Sequence, residues 1–585
     1  MQIYNPPLED FRFLLEALGY DKVHALAAYE SYDLETALAL LETAGRFCRE
    51  VALPLNGVGD RAGLRYDAAT GAVTLPEGFR ELYRRYVEAG LVSIAHDPEH
   101  GGAGAPRALA TLINEMVTAT NKSFSMCPGL SQGLIEALGH HGTDDQRARY
   151  LPKLISGEWT GTMCLTEPQC GTDLGLLTTR AVPDGDRYRL TGTKIWITFG
   201  EHDLVENILH LVLARLPDAP AGIKGISVFV VPKVLPDGTR NGITCSGLEH
   251  KMGIHASPTC VMTLEDAVGE LIGEAHRGMR AMFTMMNVAR LNVGLEGVAL
   301  GEIAYQTALA FARDRRQGRA PDPAKRERGT SADNILVHPD VRRMLLEIKS
   351  TNEAMRALAV WTSLQIDQSL HHEDAAARQA AADMAALLTP VVKSYGTERG
   401  FANVSTAMQV CGGSGFTVDW SIEQYLRDLR IAMIYEGTNH IQALDLVGRK
   451  LPADGGRGYR DWSARVRGFC EVHAGDSGMA EFVAPLGEAL GSLDALTAWL
   501  GGGEADGETV GAAASAYLNA FALVALAYMW GLQAVEARTR DTRFAALKVK
   551  TARYFFHHVL PEFDALAKVI REGKSNIMAV EPDEF

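Results

Sequence analysis

At 585 residues, 47% of them hydrophobic, the chain is long enough for several domains and an ample core. A net charge of −15 works against the broad positive surface that nucleic acid requires, so no nucleic-acid partner is expected. The eight cysteines lack paired metal-ligand spacing and read as reduced intracellular thiols, so no metal site is expected either.

Residues 1 to 160 read as helical: Phe11, Leu14, Leu15 and Leu18 recur at helical spacing, and the pattern resumes from about Gly78 to Ile155. The opening Met-Gln-Ile-Tyr-Asn-Pro-Pro has neither a basic stretch nor a long apolar run, so no signal peptide is expected and the cytoplasm is the expected location. Over 161 to 276 short apolar runs such as Leu211-Val212-Leu213 and Ile226-Ser227-Val228-Phe229-Val230-Val231, set between Asp, Gly and Pro, predict a β domain. Helical periodicity returns over 277 to 452, broken by a charged loop from Gln317 to Asn334 that reads as solvated. Asp454-Gly455-Gly456-Arg457-Gly458 reads as a linker to a further helical domain, 453 to 585. There Gly511 to Val535 carries no charge and is long enough to span a bilayer, yet Ala dominates it and Asn519 and Gln533 interrupt it. A buried helix is the expectation, not a membrane span. Lys548, Lys550 and Arg553 read as a solvated face, and Arg240 with Lys251 as a local basic patch for phosphates.

Four motifs carry chemistry. In Ile434-Tyr435-Glu436-Gly437-Thr438-Asn439-His440 a carboxylate sits between an apolar segment and a glycine, where desolvation would raise its basicity toward the working pH. Gly437 lets backbone approach a ligand closely, and Thr438 can cap the helix suggested by Ile441, Leu444 and Val447. Taken alone, this is more often a surface Glu before a helix cap. The stretch Met163-Cys164-Leu165-Thr166-Glu167-Pro168-Gln169-Cys170-Gly171-Thr172 offers hydroxyls and exposed backbone donors suited to a heteroaromatic edge and phosphate oxygens. Lys194-Ile195-Trp196-Ile197-Thr198 follows, with Trp196 and Thr198 on one face of a strand by alternation. Gln409-Val410-Cys411-Gly412-Gly413-Ser414-Gly415 is a glycine-rich turn after a helix without the strand a dinucleotide fingerprint needs.

In this order, over roughly residues 80 to 452, the motifs resemble the acyl-CoA dehydrogenase family of flavoproteins. The resemblance implies a helical domain, a β-barrel domain and a helical bundle, here with an extra C-terminal helical domain: a mainly α chain with a central β domain. It implies FAD as cofactor, with Met163, Leu165, Thr166, Gly171 and Thr172 at the flavin ring and pyrophosphate, and Trp196 and Thr198 packed on the flavin's other side. Arg315, Gln409 and Gly413 match positions that reach the FAD of a neighbouring subunit, and Thr438 and His440 match positions near the AMP and pyrophosphate of FAD. Some members carry the base on an earlier helix just before an arginine; here Ala289 precedes Arg290, which leaves Glu436 as the base. Arg290 and Gly437 are the expected substrate contacts.

The implied reaction is α,β-dehydrogenation of an acyl-CoA thioester to a trans-2-enoyl-CoA, with electrons passing to an electron-transfer flavoprotein. The extra tail implies a homodimer. The whole-chain pattern resembles a subgroup acting on a short thioether substrate, 3-(methylthio)propanoyl-CoA. Two other classes stay open at this stage: an acyl-CoA oxidase passing electrons to oxygen, and a non-catalytic DNA-binding or assembly relative of the same fold.

Overall fold

The computed structural model describes residues 2–585. Two compact units make up the chain: a helical unit of Met1–Glu42, Pro106–Glu115 and Val293–Phe585, and a β-containing unit of Thr43–Ala105 and Met116–Asn292.

In the β-containing unit, strand Trp159–Cys164 runs parallel to Asn207–Arg215, which pairs antiparallel with Ile226–Pro232. Arg187–Thr198 lies between Arg180–Asp184 and Thr259–Leu271. Further pairings of Arg180 with Arg215 and of Phe229 with Leu271 close the strands on themselves, which leaves few open edges. Every residue of Ile226–Pro232 is buried, as expected of a strand with apolar cover on both faces. Phe229 and Val231 join the cluster of Val212, Ile243 and Met262, whereas Val228 and Val230 pack with Leu134, Leu138 and Leu154 of flanking helices. Within the stretch expected to be helical, Arg65–Asp67 and Ala72–Thr74 pair as a short antiparallel hairpin, and the larger sheet starts at Trp159, two residues ahead of 161, where Trp159 and Thr160 lie opposite Asn207 and Ile208. Of the two residues expected to form a basic patch, Arg240 Nη2 pairs with Glu201 at 2.7 Å, and Lys251 donates to the Ser257 carbonyl at 2.9 Å.

In the helical unit, the crossing of helix Gly278–Asp314, from Val293 onward, with Ala375–Cys411 is set by glycine. A Cβ on Gly297 would lie 1.9 Å from the Gly396 carbonyl oxygen, and one on Gly400 2.4 Å from Gly297 Cα. Only glycine permits this backbone contact. Asp374 caps the second helix by accepting from Ala376 N at 3.1 Å, and Gly412 ends it at φ 56°.

The N-terminal helical extension and the C-terminal residues both belong to this unit, and a buried ionic cluster ties them together. The Arg356 guanidinium, 1% exposed, meets Asp10 at 2.8 Å, Glu115 at 2.5 Å and Glu302 at 2.8 Å. Lys548 bonds Glu353 at 2.8 Å and Gln533 at 3.1 Å, and also pairs with Asp10. Lys548 is therefore not on the solvated face expected for it; the helical register turns it inward, whereas Lys550 is exposed and Arg553 pairs with Glu481. The expected linker is a tight turn with Asp454 and Gly455 at φ 49° and 66°, running directly into helix Arg457–His473. The long apolar helix Gly507–Arg538 is buried from Ala520 through Gly531, and Trp530 Nε1 donates to the Ser350 carbonyl at 3.0 Å. The loop from Gln317 to Asn334, expected as solvated, is organised on buried Asp333, which accepts from Ala320 N at 2.6 Å and Glu327 N at 2.8 Å.

Removing one member of a buried ionic cluster strands the others. Lys548→Met is expected to cost about 3 kcal/mol and lower the thermal midpoint, whereas Lys550→Met changes stability by less than about 0.5 kcal/mol. Parallel melting curves of the two variants check this.

Candidate active site

In the β-containing unit the Thr-Glu-Pro segment is organised by Glu167, 2% exposed. Its Oε1 accepts from Thr179 N at 3.0 Å, Thr179 Oγ1 at 2.6 Å and Lys194 Nζ at 2.8 Å. Its Oε2 accepts from Thr178 N at 2.7 Å, Thr178 Oγ1 at 2.8 Å and Gln169 Nε2 at 2.7 Å. Burial alone would raise this carboxyl, but Lys194 and the threonine donors hold it down at about 2. Lys194, fully buried, also donates to the Leu165 carbonyl at 3.0 Å, and Ile195 N donates to the Thr166 carbonyl at 2.9 Å. One ion pair thus locks the first motif to the second. Glu167 and Lys194 show no role in the sequence, because a single acid in a loop and a single base on a strand carry no sign that they are buried as a pair.

These bonds present the predicted residues on one segment pair. Met163 and Leu165 are half-buried against the apolar cluster of Leu134 and Leu211, Thr166 is half-buried, and Gly171 and Thr172 are exposed. Nothing lies within 4 Å of a Cβ built on Gly171. Pairing with Thr259–Leu271 slips between Lys194 and Ile197, and at this bulge Trp196 takes φ 59°. The bulge leaves the Trp196 indole 60% exposed while Ile197 is buried and Thr198 half-buried. An exposed indole held at a strained backbone angle suits a flat ring system, and exposed Thr172 with the open Gly171 suits phosphate oxygens.

In the helical unit, helix Ile422–Leu429 and a 3₁₀ turn over Arg430–Met433 lead to Glu436, which is half-buried at φ 56° and followed by Gly437 at φ 81°. Gln442 Nε2 donates to the carbonyls of Glu436 at 3.0 Å and Gly437 at 3.1 Å, and Lys393 Nζ donates to the Gly437 carbonyl at 2.8 Å. Both of these donor side chains are fully buried, so these carbonyls face inward; in trans peptide planes the N–H groups of Gly437 and Thr438 point the opposite way. A Cβ on Gly437 would lie 2.7 Å from Gln442 Nε2, so glycine is required there. Thr438 caps the helix Asn439–Asp445, accepting from Ile441 N at 3.4 Å, and exposed His440 bonds Ser515 Oγ at 3.0 Å through Nδ1.

Of the other predicted residues, Arg290 is buried on helix Gly278–Asp314. Arg315, Gln409 and Gly413 are all exposed on the helical unit. Near them Phe416 and Val418 are 80% and 69% exposed, and Trp420 packs edge-on against Phe311 at 5.1 Å, one turn before Arg315. All eight cysteines are unpaired and seven are buried, Cys164 and Cys170 among them.

Four family models match in sequence along the chain: acyl-CoA dehydrogenase N-terminal domain over residues 35–158, middle domain over 162–267 and C-terminal domain over 276–451, then acetyl-CoA dehydrogenase C-terminal like over 462–581. A 3-methylmercaptopropionyl-CoA dehydrogenase of Ruegeria pomeroyi is 43% identical, the match covering 96% of this chain and 97% of that protein. A broad-specificity linear acyl-CoA dehydrogenase of Mycobacterium tuberculosis is 33% identical, with 100% of both chains covered. A crystal structure of an acyl-CoA dehydrogenase complexed with FAD from Bacillus anthracis superposes with a TM-score of 0.75 at 22% identity, over 96% of this chain and 91% of that one, and shares its fold.

Replacing Glu167 by Gln leaves the buried Lys194 without its counter-charge, an expected loss of about 3 kcal/mol, together with weakened flavin retention. Because the folded-state value of Glu167 lies below its ordinary one, its contribution is complete above about pH 4.5 and fades as pH falls toward about 2. Melting curves from pH 7 to 3 should show that acid-side loss in the native protein and a shallower one in the variant.

Proposed function

The chain belongs to the acyl-CoA dehydrogenase family, and from that premise we propose that it oxidises a short acyl-CoA at its α,β bond with Glu436 as the base. The enzyme is an oxidoreductase whose cofactor is FAD. When bound, FAD supplies the two-electron acceptor for the β-hydrogen.

The observation that carries the reading is the turn at Glu436. Its two carbonyls are drawn to interior donors, and the carboxylate is held half-buried in a left-handed conformation that a side chain adopts only under constraint. A carboxylate held in this way would take the α-proton of a thioester. Outward-facing amides in the same turn suit a polarised carbonyl oxygen, whose developing negative charge they would stabilise. Leu165, Thr166, Gly171, Thr172, Trp196 and Thr198 would hold and orient the flavin, Met163 would line its ring, and Thr438 and His440 would lie toward its AMP end. Arg290 would organise the substrate.

Substrate choice is drawn from the Ruegeria relative: 3-(methylthio)propanoyl-CoA, in a pocket for short or medium chains. Each added methylene changes binding by only about 1 kcal/mol, so neighbouring chain lengths would be accepted with graded rates. An electron-transfer flavoprotein is the proposed acceptor and the cytoplasm the proposed location. A homodimer is supported by the exposed Phe416 and Val418 beside Gln409 and Gly413, apolar surface of a kind a second copy would cover.

Anaerobic mixing of the yellow protein with a panel of acyl-CoAs tests this. Bleaching of the flavin band should be fastest with the thioether and with short straight chains; a rate climbing steadily to sixteen carbons would overturn the substrate reading. Glu436→Gln should retain flavin and lose about a thousandfold in bleaching rate.

A further inference from the structure

Glu436 is bracketed on its N-terminal side as well. Tyr435, the residue before it, places its hydroxyl 2.6 Å from both carboxylate oxygens of Glu296. Glu296 is 7% exposed and stands on helix Gly278–Asp314, one residue before Gly297. Its backbone has no freedom to shift, because Gly297 is where that helix rests on the backbone of Gly396 and Gly400. A carboxylate so buried is costly unless bonded, and a charge-assisted phenol bond is among the stronger ones available. Burial first, then the Glu296 carboxylate, push the Tyr435 hydroxyl well above its ordinary value, so it remains a donor at every working pH. Tyr435 N is itself tied to the Ile431 carbonyl at 3.1 Å.

The side chain before Glu436 is therefore anchored by Glu296, and the carbonyl after it by Gln442. The left-handed φ of Glu436 lies between these two anchors, and releasing either lets the turn relax toward ordinary angles. We propose that Glu296 is a positioning residue for proton abstraction, acting through the Tyr435 hydroxyl to fix the direction of the Glu436 carboxylate. This rests on the reading of Glu436 as the base. Glu296 touches neither substrate nor cofactor in this role; it contributes geometry, on which proton transfer depends steeply.

The test uses the holoenzyme, the acyl-CoA that bleaches it fastest, and anaerobic stopped flow. Tyr435→Phe and Glu296→Leu should each lower the limiting bleaching rate about tenfold, with FAD content and half-saturation within about twofold of the native protein. Glu296→Gln, which keeps an acceptor for the phenol, should recover most of the rate. The double variant Tyr435→Phe/Glu296→Leu should be no slower than the slower single, since the two act as one unit. Full-rate bleaching in Tyr435→Phe, additive losses, or a loss confined to flavin content or melting temperature would overturn the proposal. Glu436→Gln measured alongside separates the two readings: if it bleaches at the native rate the base assignment fails, and if it is inactive while Tyr435→Phe and Glu296→Leu run at full rate only the positioning role fails.

Discussion

A buried ammonium has to find oxygens, and the loops that bear the proposed chemistry are built on that constraint. Lys194 and Lys393 are both fully buried, and each donates to one backbone carbonyl and one side chain of a loop in the proposed site: Lys194 to the Leu165 carbonyl and Glu167 Oε1, Lys393 to the Gly437 carbonyl and Asn439 Oδ1 at 3.0 Å. An unpaired charge in either place would cost several kcal/mol, so the loop must fold to the lysine as much as the lysine to the loop. The loops are thereby fixed from inside, and their outer edges remain available to ligands.

The same economy operates at larger scale in the helical unit. Asp10 comes from the start of the chain, Glu115 and Glu302 from the middle, and Lys548 from near the end, yet all converge on the cluster around Arg356. Such a cluster is weak evidence for net stability, since an apolar replacement of the whole can do as well. Its consequence is specificity of assembly. The N-terminal extension and the C-terminal helices have one arrangement that satisfies every charge, and that arrangement backs the helices that carry Lys393, Gln442 and Glu296.

Much of this was legible in the sequence, and what was missed has a common cause. The switch from helical periodicity to short apolar runs marks the β strands because strand and helix bury side chains at different periods. The long uncharged stretch around Leu523 reads correctly as buried because Ala and polar interruptions suit a packed helix. By contrast the sequence makes Lys548 look solvated and shows no role for Glu167, Lys194, Lys393, Gln442 or Glu296. Each is a polar group inside the protein, and for several the partner lies far along the chain: Lys548 is 538 positions from Asp10, and Tyr435 is 139 from Glu296. Composition and spacing register polarity but not the partner that makes burial tolerable. Trp196 was placed by strand alternation, but the bulge that sets its angle comes from pairing with a distant strand.

Two of the proposed site residues, Trp196 and Glu436, share an uncommon backbone state. Both are non-glycine residues with φ near 60°, a region that costs an ordinary side chain about 1 kcal/mol or more. Trp196 takes it at a bulge inside a strand, and Glu436 in the bend that joins the 3₁₀ turn to helix Asn439–Asp445. In each the strain is held by neighbours already bonded elsewhere: Ile195 N to the Thr166 carbonyl before Trp196, and the carbonyl of Glu436 to Gln442. Strain maintained this way is a means of aiming a side chain that relaxed backbone would point elsewhere. The indole is left exposed, and Glu436 is left in a bend whose carbonyls are held by interior donors. Relaxing either angle would remove no residue from the site and still misdirect it, which is why the donors behind these turns matter as much to the chemistry as the groups they aim.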